Sequence, residues 1–108
     1  MRLYHNPRCS KSRQAVEILN SRGIKYEEYR YLEKGIHQDD LELFSSLPNI
    51  IRTVEKEYKF INYNLSKKEN IAKALSQFPR LLQRPILVSK GKAVIGRPPE
   101  EIIGLFED

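Results

Sequence analysis

The sequence predicts an α/β fold in which a mixed four-stranded sheet is flanked by helices and interrupted by a helical insertion. A β-α-β pattern opens the chain, a β-hairpin followed by a helix closes it, and charged helical segments lie between them. Such alternation is typical of helices packed on a sheet. The length of 108 residues suits one domain, so we assign residues 1–108 to a single domain.

The N-terminal β-α-β unit begins with a short strand at residues 2–4. Ser10 to Arg22 then carries apolar residues at helical spacing, and Gly23 after it suits a left-handed C-cap. Ile24 to Leu32 is rich in tyrosine and partly alternates, which predicts a second strand that includes Tyr31.

The middle of the chain is predicted to be helical. Acidic residues from Asp39 onward begin a helix that Pro48 closes. Residues 49–60 predict another short, strongly charged helix. Ser66 and Glu69 form a capping box, which predicts that a further helix begins at Ser66 as its N-cap.

The C-terminal part is predicted to be a hairpin followed by a helix. Residues 84–88 form a strand that starts beside Pro85, whose peptide isomer the sequence leaves open. Lys90 and Gly91 make a tight turn into a strand at residues 93–95. The full order of elements, β-α-β, helices, then β-β-α, is that of a thioredoxin-like fold with a helical insertion.

Composition and charge exclude several classes of function. The net charge is +5, from 19 basic and 14 acidic residues, but the basic residues are dispersed and do not indicate a nucleic-acid-binding protein. An anionic small substrate or an acidic partner explains the same charge. No apolar run approaches the roughly 20 residues that span a bilayer, and no leader precedes the first strand. We therefore expect a cytoplasmic protein without a membrane segment.

Cys9, the single cysteine of the chain, is the candidate nucleophile. It lies where the first strand gives way to the first helix, so free backbone N–H groups and the helix dipole favour negative charge there. Arg8, Lys11 and Arg13 add positive charge of the kind that surrounds thiols of low pKa. The alternative is a buried structural cysteine, but the polar flanks argue against it. Because there is no second cysteine, a redox cycle must take its other thiol from outside.

Polar residues near Cys9 are candidates to tune its thiol. The Ser12 hydroxyl either donates to the thiolate or a bound oxyanion, or belongs simply to the start of the helix, and Ser10 suits the capping role. His5 is either a residue that tunes the thiol pKa or a half-buried side chain at a strand end. His37 lies in a polar loop, and two distant histidines with one cysteine predict no metal site.

Arg84 and Arg97 are candidates to bind an anion. Arg84 precedes a proline at the start of one predicted strand and Arg97 precedes another after the next strand, so both are expected near the same edge of the sheet. A guanidinium group offers a planar fork that matches a tetrahedral oxyanion. From spacing alone, each arginine is either such a ligand or a solvated surface charge.

Taken together, these residues resemble the glutaredoxin-linked arsenate reductases. The resemblance covers nearly the whole chain, and it is strongest in three runs: YHNPRCSKSR at 4–13, QRPILV at 83–88 and IGRPPE at 95–100. It implies that Cys9 attacks arsenate and that His5 and Ser12 tune the thiolate. It also implies that three arginines converge on the Cys9 sulfur and bind the oxyanion: Arg52, Arg84 and Arg97. Lys56 is the alternative to Arg52.

The resemblance also implies the partners of the reaction. Glutathione, as co-substrate, adds to the Cys9–arsenate adduct, glutaredoxin then reduces it, and arsenite is released; no bound cofactor is implied. Two other functions stay open. One is a thiol-disulfide reductase acting on mixed disulfides, which has no need of converging arginines. The other is a non-enzymatic, transcription-associated regulator, whose usual Cys-x-x-Cys switch is missing here because Ser12 occupies the second position.

Overall fold

The structure is a computed structural model that describes residues 1–106. It contains two compact units. The first joins Met1–Tyr31 to the C-terminal segment that begins at Arg84, and the second is Leu32–Gln83. The assignment of residues 1–108 to a single domain stays a prediction. Across residues 1–106, no helix has both the length and the apolar composition that crossing a membrane requires.

The first unit contains a mixed four-stranded sheet, as predicted. Its strands are β1 (Arg2–Tyr4), β2 (Glu27–Tyr29), β3 (Ile86–Ser89) and β4 (Lys92–Ile95). They lie in the order β2-β1-β3-β4, with β1 parallel to β2 and the other pairs antiparallel. Lys90 and Gly91 join the last two strands with φ angles of 50° and 76°, the left-handed geometry that tight hairpin turns require.

A helix and a short 3-10 segment cover one face of this sheet. Helix α1 (Ser10–Ser21) and the 3-10 helix Pro99–Leu105 pack on it, and the shared core contains buried apolar side chains. These are Leu3, Ala15, Leu19, Leu87 and Ile102. Gly23 follows α1 with φ 66°, as predicted for its C-terminus. The predicted last helix is present only as a 3-10 helix, and Gly104 within it lowers the preference for a regular α-helix.

The second strand is shorter than predicted. β2 ends at Tyr29, and Tyr31 begins the short helix α2 (Tyr31–Lys34). Both tyrosine rings nevertheless pack on Tyr4, with centroids 4.9 and 6.0 Å away. Tyr31 lies in α2, but its ring still contacts the Tyr4 ring. The tyrosines at 29 and 31 therefore looked in the sequence like alternate residues of one longer strand.

The second unit is built on two packed helices. These are α3 (Gln38–Ser45) and α4 (Lys68–Gln77), accompanied by 3-10 helices at Lys56–Phe60 and Pro79–Leu81. The predicted helix at residues 49–60 is therefore wrong in its first half. There residues 50–52 pair with residues 81–83 instead: Ile51 pairs with Leu82, and Arg52 N donates to Leu81 O at 2.7 Å.

Both helices of this unit begin differently from the sequence prediction. His37, which the sequence placed in a polar loop, is the N-cap of α3 and accepts a hydrogen bond from Asp39 N at 3.2 Å. The capping box is wrong, because Lys67 and not Ser66 is the N-cap of α4. The Ser66 N–H donates to Asn64 Oδ1 at 2.9 Å, a local turn that competes with the helix start.

Candidate active site

Cys9 is the N-cap residue of α1. Its backbone is extended (φ −94°, ψ 123°), and its carbonyl accepts the first helical hydrogen bond, from Arg13 N at 3.0 Å. The preceding turn is closed by Asn6, whose carbonyl accepts from Cys9 N at 3.0 Å. The predicted capping role of Ser10 is wrong, because Ser10 is the first residue of the helix itself. The half-buried thiol therefore faces the free N–H groups of the first turn.

The hairpin brings Arg84 and Arg97 to this thiol. Ile86 pairs with Ile95, so the residues two positions beyond each strand end, Arg84 and Arg97, leave the hairpin side by side. Arg97 Nη2 lies 3.8 Å from Cys9 Sγ, while its Nε donates to the Arg84 carbonyl at 2.8 Å. The Arg84 side chain also hydrogen-bonds to the Cys9 sulfur. Both guanidinium groups thus converge on Cys9.

Gly96 lets the two Arg-Pro segments touch. The Arg84–Pro85 and Arg97–Pro98 peptide bonds are both cis, which answers the question left open for Pro85. Gly96 N donates to Pro85 O at 2.8 Å. A Cβ at Gly96 would lie 2.8 Å from Pro85 Cγ, closer than side-chain carbons pack, and 3.1 Å from Ile102 Cγ2, which is a tight contact. Only glycine fits this position without movement of its neighbours.

The surroundings of Cys9 lower the pKa of its thiol. Burial by itself raises this pKa, and it is the largest single effect, but the effects that lower the pKa together outweigh it; the strongest of them are hydrogen bonds from the Ser12 N–H and the Arg84 side chain. The charge of Arg84 and the Lys11 N–H lower the pKa further. The predicted direction is confirmed. The exposed guanidinium of Arg13 donates to Pro7 O at 2.9 Å, and the contribution of its charge to the thiol pKa stays a prediction.

His5 and Ser12 form a buried hydrogen-bonded pair behind Cys9. His5 Nδ1 lies 2.7 Å from Ser12 Oγ, which also accepts a hydrogen bond from Asn6 N at 3.0 Å. The Ser12 hydroxyl is therefore used to hold the turn, and Ser12 reaches the thiol through its backbone N–H. Burial lowers the pKa of His5, and Arg30 and Arg13 lower it further, against the opposing effect of Glu28.

Arg52 lies in the unit Leu32–Gln83 and is held by two side chains of that unit. Its Nε donates to Glu55 Oε2 at 3.0 Å, and its Nη1 donates to Gln83 Oε1 at 2.8 Å. Lys56 is exposed at the start of its 3-10 helix. Oxyanion binding by Arg52, like the alternative of Lys56, stays a prediction.

Sequence reasoning missed three residues that support the site. Asn6 closes the turn before Cys9, Gly96 permits the contact of the two arginine segments, and Glu28 faces His5 from β2. Gly96 alone carried a signal, as a glycine between a strand and an Arg-Pro pair. Among residues 1–106, no three His, Cys, Asp or Glu side chains gather in a way that would hold a metal ion.

The fold and the site together define a thioredoxin-like protein with one cysteine at the start of its first helix. Residues 4–105 match the ArsC family, and the chain belongs to that family. The predicted fold class and family are thus confirmed.

An arsenate reductase of Neisseria meningitidis is 36% identical, over 94% of either chain. Escherichia coli YfgD, an uncharacterized protein, is 38% identical over 95% of this chain and 93% of its own. The solved structure of a Vibrio cholerae arsenate reductase superimposes with a TM-score of 0.84 at 31% identity, covering 98% of each chain.

Proposed function

We propose that this protein reduces arsenate to arsenite through the Cys9 thiolate, with glutathione and glutaredoxin as external thiols. The observation that carries the proposal is the contact of Cys9 Sγ with two guanidinium groups, Arg97 Nη2 at 3.8 Å and the hydrogen-bonding side chain of Arg84. A thiolate beside two such forks is placed to attack a tetrahedral oxyanion that the same forks hold. The related arsenate reductases support the choice of arsenate.

The first step joins Cys9 to arsenic. Arg84 and Arg97, with Arg52 as the proposed third cation, bind the arsenate oxygens and neutralise their charge. The Cys9 sulfur forms a bond to arsenic, and one arsenate oxygen leaves as water after taking up protons. The free N–H groups at the start of α1 stabilise the negative charge during this exchange.

The reduction needs two thiols that the chain does not contain, since Cys9 is its only cysteine. The glutathione thiol displaces a second oxygen as water and forms a second arsenic–sulfur bond. A glutaredoxin thiolate then attacks the glutathione sulfur, and the electron pair of that arsenic–sulfur bond stays on arsenic. Arsenic passes from As(V) to As(III), a glutaredoxin–glutathione disulfide forms, and water releases arsenite from Cys9.

A component-omission assay tests this function. Arsenite formation is measured with the protein, arsenate, glutathione and glutaredoxin together, and with each left out in turn. We expect turnover only with the complete set, and none with Cys9→Ser, whose circular dichroism and unfolding midpoint serve as the control for folding. Arsenite formed by Cys9→Ser would contradict the proposal. So would turnover of glutathione mixed disulfides without any arsenite, which would make the protein a thiol-disulfide reductase.

A further inference from the structure

Glu28 reaches the far nitrogen of His5. In the parallel pairing of β1 with β2, Glu28 lies opposite Leu3, and His5 N donates to Tyr29 O at 2.9 Å. This register brings Glu28 Oε1 to 3.7 Å from His5 Nε2, on the side of the ring opposite to Ser12. Neither the resemblance to known reductases nor the charge pattern of the sequence assigns a role to this carboxylate.

The two neighbours of the His5 ring differ in whether they can donate a hydrogen bond. A neutral imidazole carries one N–H, on either nitrogen. Glu28 is a carboxylate and only accepts hydrogen bonds, whereas the Ser12 hydroxyl both donates and accepts. With the proton on Nε2, the ring faces Glu28 as a donor and Ser12 as an acceptor. With the proton on Nδ1, a lone pair on Nε2 faces the carboxylate and repels it.

We propose that Glu28 is a positioning residue that selects the Nε2–H tautomer of His5 and thereby makes the Ser12 hydroxyl donate to His5 Nδ1. The Ser12 oxygen then accepts the Asn6 N–H and donates its own proton to the ring, so both hydrogen bonds join it to residues that precede Cys9. This fixes the turn between β1 and α1. It also leaves the Ser12 backbone N–H as the group that meets the Cys9 thiolate.

The other charged groups around the ring are consistent with this assignment. Arg30 Nη2 lies 3.2 Å from the same Glu28 oxygen and holds that carboxylate in place. Burial is the largest effect that lowers the pKa of His5, and Arg30 and Arg13 act in the same direction, so together they outweigh Glu28, which raises this pKa. His5 is therefore held in its neutral form, where the choice of tautomer matters.

Imidazole ¹⁵N NMR of the full-length protein at neutral pH tests the tautomer directly. We expect Nε2 of His5 to carry the proton in the wild-type chain. Glu28→Gln keeps the shape of the side chain but adds a donor, so the preference should be lost. Glu27→Gln is the matched control on the same strand, since Glu27 pairs with Arg2 and not with the histidine. A proton on Nδ1 in the wild type, or the same tautomer in Glu28→Gln, would overturn the proposal.

The alkylation rate of Cys9 tests the consequence at the sulfur. Below the thiol pKa, the alkylation rate for Glu28→Gln should fall about fivefold, because the thiolate loses the hydrogen bond from the Ser12 backbone N–H. Fivefold corresponds to one hydrogen bond of typical net strength. Glu27→Gln should react like the wild type. An unchanged rate with a shifted tautomer would overturn the positioning role.

The catalytic meaning of this role rests on the proposed function, but neither readout uses arsenate. Failure of arsenate reduction with the expected tautomer would reject the function and leave the role of Glu28 in place. Arsenate reduction by a protein whose His5 carries its proton on Nδ1 would reject the role of Glu28 alone.

Discussion

Hydrogen bonds and charge outweigh the cost of burial at the Cys9 sulfur. The sequence predicted both the residue and the direction of its pKa shift from the position at a helix start. The local charge pattern assigned positive charge to sequence neighbours of Cys9, and the family resemblance assigned it to Arg84 and Arg97, which the structure places at the thiol from the distant hairpin. Which side chains surround the thiol therefore depends on the pairing of the strands and not on distance along the sequence.

Substitutions at Arg97 can distinguish the effect of its positive charge from the effect of its guanidinium geometry. Its Nε bonds to the Arg84 carbonyl while its Nη2 faces Cys9 Sγ. Arg97→Ala should lower kcat/KM for arsenate roughly tenfold to a hundredfold, the effect of losing about 1.5–3 kcal/mol of charged hydrogen bonding. Arg97→Lys should recover only part of this, because one ammonium group cannot reach both partners. Full recovery by lysine would show that charge alone matters.

His5 gives a prediction for stability against pH. Burial lowers the pKa of His5 in the folded protein below its ordinary value of 6.5. As the pH falls from 6.5 towards the folded pKa, the unfolded chain takes up a proton that the folded chain does not. The free energy of unfolding therefore falls with decreasing pH, by at most about 1.4 kcal/mol per pH unit for one proton. His5→Gln should show a shallower slope in denaturant titrations over this window. Equal slopes would contradict the account.

At the scale of elements, the close contact between the end of β4 and the start of β3 is the feature most open to test. Gly96→Ala forces a methyl group against Pro85 and Ile102, which should cost about 1–3 kcal/mol of stability and slow Cys9 alkylation by moving Arg97. Gly104→Ala is the matched control, because nothing lies within 4 Å of its added Cβ. Alkylation and unfolding measurements on both variants check this. Equal behaviour of the two would show that the contact at Gly96 is not needed.

The elements that the sequence predicted well are those with strong local signals. These are the first strand, α1 and the hairpin. Helical periodicity of apolar residues indicated α1, and the Lys90-Gly91 pair, whose backbone is left-handed in the structure, indicated the hairpin turn. The predictions failed where tertiary contacts decide. Ser66 lost its capping role to a turn at Asn64, and residues 50–52 extended to pair with residues 81–83.

The site was predictable to the same degree. Cys9 and the two hairpin arginines stand in recognisable sequence runs, so their roles were expected. The role of Glu28 was not expected, because an exposed glutamate on a strand looks like any solvated charge. Its contact with His5 depends on the pairing of β1 with β2.

For the whole molecule, a net charge of +5 and an arginine-lined thiol predict that tetrahedral oxyanions stabilise the fold. An anion at a hundred times its Kd adds about 2.7 kcal/mol if it binds only the folded state. Arsenate, phosphate and sulfate should therefore raise the unfolding midpoint of the wild type, and Arg97→Ala should lose most of the rise. Arg22→Ala, an exposed arginine at the other end of α1, should keep it. A rise that chloride reproduces at equal ionic strength would indicate general screening instead.

The pH profile of Cys9 alkylation, with and without arsenate, tests whether Cys9 is a low-pKa thiolate within an oxyanion site. Because the chain has one cysteine, the signal reports on this thiol alone. We expect a midpoint below the ordinary cysteine pKa of about 8.5 and protection of the thiol by bound arsenate. A midpoint at or above that value, with no protection by arsenate, would contradict it.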